Sequence, residues 1–569
     1  MGIDVNKKVY LGANYIVSSL GFGTRENMAA IEKYCLGVAC LNDNAISSHP
    51  FFAGKIDDNR LAAKTRHLVG FTRLEKLFIL ALENIHKTFS ADFADPDVGF
   101  VFSTTKGNID ELQKNAVPPN EKLFLFSMAK RVLQFFDVRQ DPIVISNACI
   151  SGVSAIILGQ RFIQSGKYKH VVVVGGDLLS RFAVSGFLAF RSVSPSVCRP
   201  FNADRDGLSM GEACGALLLT GEHADALKIE ICGGAITNDA NHISAPSRTG
   251  DGLSLAISEA LKQSRISAND VGFINAHGTA TPFNDEMESK AIHSLGLEAA
   301  PLNSLKPYFG HTLGAAGIVE TIASAYQLRK GKVFATPGFS QNGVPFPLNI
   351  SDIHLPIDTR YGLKLASGFG GCNAALIIGK AARNNPAPAP EPANSEINIL
   401  KKIVIQPDGS GFPNHIRALY KKLDKPNMKF FKMDNLSKLG YIAAEMIFDE
   451  IGMEEYEPQK IAVVLANKSA SLDTDIKHQQ IIDSQSKEGA SPAVFVYTLP
   501  NIVVGEICIR HKIQGENSFF IRPQYDNFVR QYAESLLYSS VANLVLCGWC
   551  ELLHDDYIAD FELLKLKNR

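Results

Sequence analysis

The chain has 569 residues, of which 20% are charged and 46% hydrophobic, and its formal net charge at pH 7 is -1. Because single hydrophobic cores stop growing at roughly 250–300 residues, this length predicts two to four domain-sized units. The balanced charge argues against nucleic acid or an anionic membrane surface as the main partner. No stretch approaches the ~20 apolar residues of a membrane span. The ten cysteines are scattered along the chain, which predicts a protein of the reducing cytoplasm.

Short apolar runs alternate with helix-like segments along the first two thirds of the chain. A helical pattern at residues 153–164, for example, lies between two such runs. Continuous apolar strands interleaved with helices predict an α/β layered architecture in which helices cover both faces of the sheets. The predicted buried strands are residues 143–145, 171–174, 216–219 and 272–275.

A Pro/Ala-rich stretch divides the chain into a body and a tail. Residues 381–396 read AARNNPAPAPEPANSE, a composition that predicts an extended linker. The tail, residues 397–569, repeats the order of the body in weaker form. We therefore predict that the tail is a partial copy of the body's first half. Its strand candidates are residues 461–465, 519–521 and 544–547, and its helix candidate is 529–538.

Cys149 is the strongest candidate for a nucleophile. It stands in the segment SNACISG, where an apolar strand gives way to a helix, so a sharp turn is expected to expose its side chain. The positive end of a helix dipole favours a thiolate, which is the nucleophilic form of cysteine. The alternative is an inert, buried cysteine that serves as a small apolar side chain.

Two histidines strengthen the prediction of a reaction centre. His277 directly follows a predicted strand in a loop that contains Thr279 and Thr281. His311 follows the segment KPYFG and opens a stretch rich in glycine and alanine. A lone histidine is more often structural, but two at strand ends with small neighbours indicate backbones packed around a site. Residues 368–371, GFGG, add a tight turn that carries the bulky side chain of Phe369.

Taken in order and spacing, these segments resemble the β-ketoacyl-acyl-carrier-protein synthases of the elongating type, within the thiolase-like superfamily. NACISG, NAHGTATPFND and KPYFGHTLGAAGIVE carry the resemblance, with support from RPFNADRDG and MGE. The resemblance covers about residues 9–379. It implies a thiolase-like αβαβα fold with halves at residues 1–230 and 231–380, followed by a smaller α/β domain at 397–569 that resembles a truncated half.

The resemblance also implies roles for individual residues. Cys149 matches the acylated nucleophile, and two histidines complete a Cys-His-His site as neutral donors of Nε2–H. A buried pair formed by a lysine and a glutamate would hold the second histidine segment in place. The remaining matches are hydroxyls that contact a phosphopantetheine arm and a gating loop whose phenylalanine N–H joins that of the nucleophile in an oxyanion hole. In the order of these roles, the matching residues are Cys149, His277, His311, Lys306, Glu320, Thr279, Thr281, Phe369, Gly368 and Gly370.

The reaction implied is a decarboxylative Claisen condensation in fatty acid, polyene or polyketide synthesis. An acyl group on Cys149 would condense with a malonyl group carried by an acyl carrier protein. The family implies a homodimer, no metal, and no cofactor other than the phosphopantetheine arm on the carrier. Because carrier proteins are acidic, basic residues near the entrance are candidates for docking, and Lys64, Arg66 and Arg73 are the ones we consider.

Three alternatives remain open on the sequence. A thiolase would use a second cysteine near the glycine loop, where Cys372 stands. Cys547 and Cys550 have the spacing of a redox C-x-x-C motif, but they follow an apolar strand, which favours a buried core. The whole chain could also be a non-catalytic partner. The tail favours such a role for itself, since Gln524 stands where its nucleophile would be, as in chain-length-factor subunits.

Overall fold

The computed structural model describes residues 7–114, 120–222, 227–381, 396–423, 427–449, 451–484 and 490–567. The predicted linker thus lies almost wholly outside the described residues. Across these ranges, none of the helices has both the length and the apolar character that a bilayer crossing requires.

The first half of the body is a five-stranded unit with helices on both faces, and smaller strands decorate it. Its central strands are buried on both sides, as the continuous apolar runs predict. Helix α3 begins with a capping box between Thr72 and Glu75, which satisfies two backbone N–H groups. The elements are β1 Tyr10–Ser18, β2 Gly21–Phe22, α1 Thr24–Glu32, β3 Val38–Leu41, β4 Phe51–Gly54, α2 Asp58–Lys64, α3 Arg73–His86, β5 Val98–Ser103, α4 Asp110–Lys114, α5 Leu125–Gln134, β6 Ile143–Ile145, α6 Ser151–Gln164, β7 His170–Asp177, α7 Arg181–Ala189, β8 Met210–Gly211 and β9 Ala213–Thr220.

The second half of the body has the same kind of unit. Its five strands, β10, β11, β12, β15 and β16, are connected through α8, α9 and α11. The elements are β10 Ile229–Asn238, α8 Asp251–Ser264, β11 Val271–Asn275, α9 Pro282–Ser294, β12 Leu302–Asn303, α10 Lys306–Phe309, α11 Ala316–Lys330, β13 Lys332–Val333, β14 Leu355–Pro356, β15 Tyr361–Gly368 and β16 Cys372–Lys380.

The tail forms a third unit. The predicted tail strands and the helix after residue 528 are all present. The elements are β17 Ile397–Ile405, α12 Phe412–Tyr420, α13 Asn435–Phe448, β18 Ile461–Asn467, α14 Leu472–Asp483, α15 Pro492–Val496, α16 Ile502–His511, β19 Asn517–Ile521, α17 Phe528–Tyr538, β20 Leu544–Leu553 and β21 Asp556–Leu566.

The three units share one topology. The main sheet runs β12-β11-β15-β16-β10-β1-β9-β7-β5-β6-β19-β18-β20-β21-β17. In each unit, the five main strands can be numbered in chain order. Their order across the sheet is then third, second, fourth, fifth, first in all three units. The parallel and antiparallel senses also agree, with parallel pairs β6/β5 and β19/β18 and antiparallel pairs β9/β1 and β21/β17. The layered α/β prediction is confirmed, and the tail has the topology of half a body. Because both halves of the body share this topology, the prediction that the tail copies the first half in particular stays a prediction.

The tail joins the body through the strand that carries the nucleophile turn. Strands β6 and β19 are antiparallel, with Ile145 opposite Phe520. The side-chain amide of Asn147 extends this pairing, because it donates to the carbonyl of Asn517 at 3.0 Å and accepts from the N–H of Phe519 at 2.8 Å. A hydrogen-bonded sheet therefore continues from the body into the tail, and the tail covers an edge that would otherwise be unpaired.

A buried polar network crosses the same junction. Arg161 of α6 makes two hydrogen bonds to Glu516, at 2.6 and 2.9 Å, and a third to the hydroxyl of Tyr532 at 2.6 Å. A bidentate ion pair of this kind fixes the relative orientation of the body and the tail as well as the distance between them. Because β19 already occupies the edge of β6, the homodimer implied by the family stays a prediction that would have to use another surface.

Candidate active site

The nucleophile turn is strained in the way the sequence predicts. Cys149 lies in a single turn of 3-10 helix, residues Ala148–Ile150, between β6 and α6. Ala148 has a φ of 47°, in the left-handed region that a residue with a Cβ rarely adopts. Strain of this type costs about 1–3 kcal/mol and persists only where the surrounding packing enforces it. The turn aims the Cys149 side chain away from its own strand and toward the second half of the body.

Two glycines allow the cysteine and histidine segments to meet. Helix α6 starts just after Cys149, and α11 starts a few residues after His311. A Cβ on Gly152 would lie 2.8 Å from the backbone N of Ile318, and one on Gly317 would lie 2.3 Å from the backbone N of Val153. Larger residues would push the two helices apart. The small residues in both sequence motifs therefore allow the backbones of the two halves to approach this closely.

The three predicted residues of the Cys-His-His site lie together. The Nε2 atom of His311 is 3.1 Å from the Sγ atom of Cys149. The rings of His277 and His311 are 5.2 Å apart between centroids and nearly perpendicular, at 86°. His311 Nδ1 has no hydrogen-bond partner among the described residues, so the protein does not fix one tautomer of this ring.

A buried ion cluster holds both histidine segments. Lys306 contacts Glu320, as the resemblance implies, and its Nζ also donates to the backbone carbonyl of His277 at 2.8 Å. Lys364, which sequence reasoning missed, contacts the other oxygen of Glu320. A charged residue in the middle of the apolar strand β15 was the available signal. Burial opposes the ionisation of Glu320, but the two lysines outweigh it and lower the pKa of this carboxyl.

A second carboxylate, also missed from the sequence, organises the His277 loop. Glu288 of α9 accepts hydrogen bonds from the backbone N–H groups of His277 and Gly278, both at 2.7 Å. The next residues of the loop include Ala280, with a strained φ of 62°. An acidic side chain in the middle of a helix is an ordinary pattern, so only the fold reveals that its oxygens hold the loop.

The protonation states differ from the sequence prediction at Cys149 and agree with it at the histidines. Although Cys149 is only half-buried, its surroundings exclude enough water to raise the pKa of the thiol to about 12, against the opposing effect of Lys306. Burial and Lys306 hold the pKa of His277 and of His311 well below the ordinary value. Burial therefore favours a thiol at Cys149 and neutral imidazoles at both histidines, and the direction of the Cys149 pKa opposes the predicted thiolate.

We expect alkylation of Cys149 by iodoacetamide to become about tenfold faster per pH unit between pH 7 and pH 9, without a plateau. Only the thiolate reacts, and its fraction grows in this way below the pKa. Peptide mass spectrometry would follow the rate, with the exposed Cys35 and Cys40 as references in the same sample. A plateau below pH 9 would show that the folded site stabilises the thiolate.

The predicted arm-binding and gating residues lie around this centre. The hydroxyls of Thr279 and Thr281 are 2.8 Å apart and form one small polar surface. Phe369 is half-buried against two phenylalanines of the α7 region, with ring centroids 6.1 Å from Phe187 and 5.5 Å from Phe190. A Cβ on Gly368 would lie 3.1 Å from the backbone N of Cys149, so the glycine loop lies directly on the nucleophile turn.

The other cysteines of interest are buried, and one of the basic docking candidates is paired within the chain. Cys372 is buried, and its Sγ atom lies 3.3 Å from the carbonyl oxygen of Phe369. Burial raises the pKa of Cys547 and of Cys550 above the ordinary value, which fits the core interpretation of that motif. Arg73 is paired with Glu212 at 2.7 Å.

Of the three docking candidates, Arg73 is therefore occupied within the chain. Lys64 and Arg66 are exposed, and their part in docking stays a prediction.

In the tail, Gln524 stands four residues after Phe520, just as Cys149 stands four residues after Ile145. Gln524 is exposed, and the tail residues near the reaction centre are others: Asn501 and Phe495 contact the glycine loop and the α7 region. Sequence reasoning missed both, because they belong to a segment 120 residues or more from any body motif.

Comparison with known proteins assigns the family. The β-ketoacyl synthase N-terminal domain family matches residues 96–224, and the C-terminal domain family matches residues 229–340. A putative mitochondrial 3-oxoacyl-[acyl-carrier-protein] synthase of Schizosaccharomyces pombe is 32% identical over 319 residues, which cover 50% of this chain and 74% of that protein. The chain belongs to the β-ketoacyl synthase family. The 3-oxoacyl-[acyl-carrier-protein] synthase 2 of Staphylococcus aureus strain COL is 36% identical over 248 residues, 41% of this chain and 60% of that relative.

The similarity to solved structures reaches beyond the body of the chain. A ketosynthase in complex with its chain length factor, from Xenorhabdus doucetiae, has a TM-score of 0.59 and 26% identity, covering 66% of this chain and 98% of its own. The PfaC keto synthase–chain length factor covers 99% of this chain and 79% of its own, with a TM-score of 0.78. At 14% identity this second likeness shows the fold alone, but the fold it shows includes the tail.

Proposed function

We propose that the chain catalyses a decarboxylative Claisen condensation between an acyl group on Cys149 and a malonyl group presented by an acyl carrier protein. The observation that carries the proposal is the 3.1 Å contact between Cys149 Sγ and His311 Nε2 beside the neutral ring of His277. A thiol beside two uncharged imidazoles in a water-poor site has no structural need, and it fits covalent acyl transfer.

The first half-reaction loads the enzyme. An acyl thioester on the phosphopantetheine arm of the carrier enters beside Thr279 and Thr281. Cys149 Sγ attacks the acyl carbon, and its proton passes by way of His311 Nε2 to the departing sulfur of the arm. The raised pKa of the thiol makes this proton transfer part of the step, instead of a thiolate waiting for substrate. The new thioester oxygen is stabilised by the backbone N–H groups of Cys149 and Phe369.

The second half-reaction forms the carbon–carbon bond. A malonyl thioester loses carbon dioxide, and the electron pair of the broken bond becomes an enolate. His277 and His311 donate Nε2–H to the enolate oxygen, and each aimed donor contributes about 2.7–4 kcal/mol to such a transition state. The enolate carbon attacks the acyl carbon on Cys149, whose sulfur leaves as a thiolate and takes up a proton from solvent. The product is a β-ketoacyl thioester two carbons longer.

Lys306 and Glu320 act on this chemistry through the backbone. Lys306 holds the His277 carbonyl, and burial together with the positive charge of Lys306 lowers the pKa of both neighbouring imidazoles. A neutral imidazole can donate its N–H to a substrate oxygen. It does not form a permanent ion pair with a Cys149 thiolate. We infer that Glu320 is present to offset the two buried lysines, which would otherwise repel each other.

The two alternative functions fit less well. In a thiolase, Cys372 would exchange protons with substrate, but Cys372 is fully buried and its Sγ atom lies 3.3 Å from the backbone carbonyl oxygen of Phe369. A non-catalytic partner would not need the strained Ala148 or the Cys149–His311 contact. The tail by itself fits such a non-catalytic role, since exposed Gln524 replaces the nucleophile.

The proposal is tested by intact-protein mass spectrometry after mixing the chain with acyl-carrier-protein thioesters of several chain lengths. We expect a stable acyl adduct on the wild type, none on Cys149→Ala, and a β-ketoacyl product after a malonyl chase. Cys198→Ala is the control, since Cys198 is a second free cysteine of the body that lies outside the proposed chemistry. An adduct that survives Cys149→Ala, or no adduct with any donor, would contradict the proposal.

A further inference from the structure

We propose that Asn501, a residue of the tail, is a positioning residue for the glycine loop, residues 368–371, and that the body's active site is incomplete without it. The inference rests on the proposed function, because the glycine loop matters only if Cys149 is acylated. It goes further by assigning to the tail a direct part in the chemistry.

The contact is specific. The Nδ2 atom of Asn501 donates to the backbone carbonyl of Phe369 at 2.9 Å, and only 4% of the Asn501 side chain is exposed. Its amide oxygen has no hydrogen-bond partner among the described residues. A buried amide with one polar atom unpaired is uncommon in native folds and calls for an explanation. Here the amide is aimed at the loop instead of at its own helix.

The same loop is held from the body on its other side. The N–H of Gly370 donates to the carbonyl of Ile243 at 2.6 Å, and the side chain of Asn238 donates to the carbonyl of Gly370 at 2.9 Å. Asn501 therefore supplies the tail's half of a clamp. The Phe369–Gly370 segment is fixed between two units of the fold and cannot move toward either without breaking a hydrogen bond.

A close backbone contact reinforces the clamp. A Cβ on Gly505, one helical turn after Asn501 in α16, would lie 2.8 Å from the carbonyl oxygen of Gly370. Glycine inside a helix costs roughly 0.5–1 kcal/mol relative to alanine. That cost is explained if α16 must lie against the glycine loop. The helix and the loop thus touch backbone to backbone.

The ring of Phe369 is placed by the tail as well. Phe187, which packs against Phe369, lies 5.3 Å from Phe495 of α15 between ring centroids, and Phe190 lies 6.2 Å from it. The tail therefore helps to position both the ring and the carbonyl of Phe369. A misplacement of about 1 Å in such a group lowers a rate by as much as ~10²-fold.

The test is Asn501→Asp, which keeps the shape of the side chain but replaces the N–H donor with an oxygen. We expect acylation of Cys149 at pH 9 to be about 10- to 100-fold slower than in the wild type. We expect a smaller deficit at pH 6, because a buried carboxyl gains a proton readily and can then donate to the Phe369 carbonyl. A purely structural defect would not be repaired by acid. Asn414→Asp is the control, since Asn414 is an exposed tail residue.

A second measurement does not depend on activity. Hydrogen–deuterium exchange of a peptide spanning residues 365–375 is expected to be faster in Asn501→Asp and in Gly505→Ala than in the wild type, with no change in Asn414→Asp. If no thioester acylates the wild type, the proposed function fails while exchange still tests the clamp. Unchanged exchange in both variants, or acylation of Asn501→Asp within about twofold of the wild type at every pH, would overturn the inference.

Discussion

A chain that ends after residue 381 is expected to lose acylation of Cys149 and to aggregate, even though it keeps every residue of the Cys-His-His site. The truncation uncovers the edge of β6, and an unpaired strand edge is a template for pairing with other chains. It also removes Glu516, the ion-pair partner of Arg161, and takes Asn501 away from the glycine loop. Size-exclusion chromatography and the mass-spectrometric acylation assay would measure both effects.

Co-expression supplies the control for this truncation. Residues 396–569 produced as a separate chain are expected to bind the truncated body and to restore acylation, because the junction consists of strand pairing and buried contacts. The covalent linker is dispensable in this account. A truncated body that is soluble, monomeric and acylated at the wild-type rate would contradict it. A body that pairs with itself through β6 and is fully active would contradict the role of Asn501 in particular.

Replacing Glu320 with glutamine is expected to cost about 3–5 kcal/mol in the free energy of unfolding, the range for breaking a buried ion pair. The change leaves Lys306 and Lys364, whose side chains are fully buried, facing each other without a carboxylate. Burial already lowers the pKa of Lys364 to about 8, and Glu320 opposes that shift. Without Glu320 the pKa of Lys364 falls further in the folded state.

The stability of Glu320→Gln is expected to depend on pH. Below the ordinary lysine pKa, the unfolded chain binds a proton that the folded variant binds poorly, so lowering the pH favours unfolding. Glu320→Gln is therefore expected to be more destabilised at pH 6 than at pH 9, as measured by the shift of its thermal midpoint from that of the wild type. Glu534→Gln, which breaks a half-exposed pair with Arg530, is the control and should cost less than about 1 kcal/mol. Equal losses in the two variants would contradict the assigned role of the cluster.

The three units of the fold have diverged in what they carry. In the body, β7 and β9 are separated by α7 and β8, and α7 packs beside the glycine loop. In the tail, the corresponding strands β20 and β21 are joined directly by residues 554 and 555. The tail therefore has no counterpart of α7 in its described residues. It keeps the strand that pairs with β6 and the helix α16 that reaches the glycine loop.

Much of the fold and of the chemistry was readable in the sequence. The short, β-branched apolar runs at residues 143–145 and 171–174 are typical of strands buried on both faces, and their alternation with helical patterns predicted the α/β layers. The motifs around Cys149, His277 and His311 depend on local rules: a small residue before the nucleophile and glycines beside each histidine. The tail's strands and its final helix were readable for the same reason, because periodicity is a local property.

The tertiary structure alone decided the rest. Burial, which depends on the whole fold, gives Cys149 a resting thiol although its local position at a helix start favours a thiolate. Lys364 is a single charge in an apolar strand and Glu288 is one of several charges in α9, and only the fold brings both to the site. Asn501 lies 132 residues from Phe369 along the chain, and no spacing rule connects them. The sequence by itself determined the elements and the reactive groups, since these follow from neighbouring residues. Only the folded chain determined charge states and the tail's place beside the glycine loop, since these arise from contacts between distant segments.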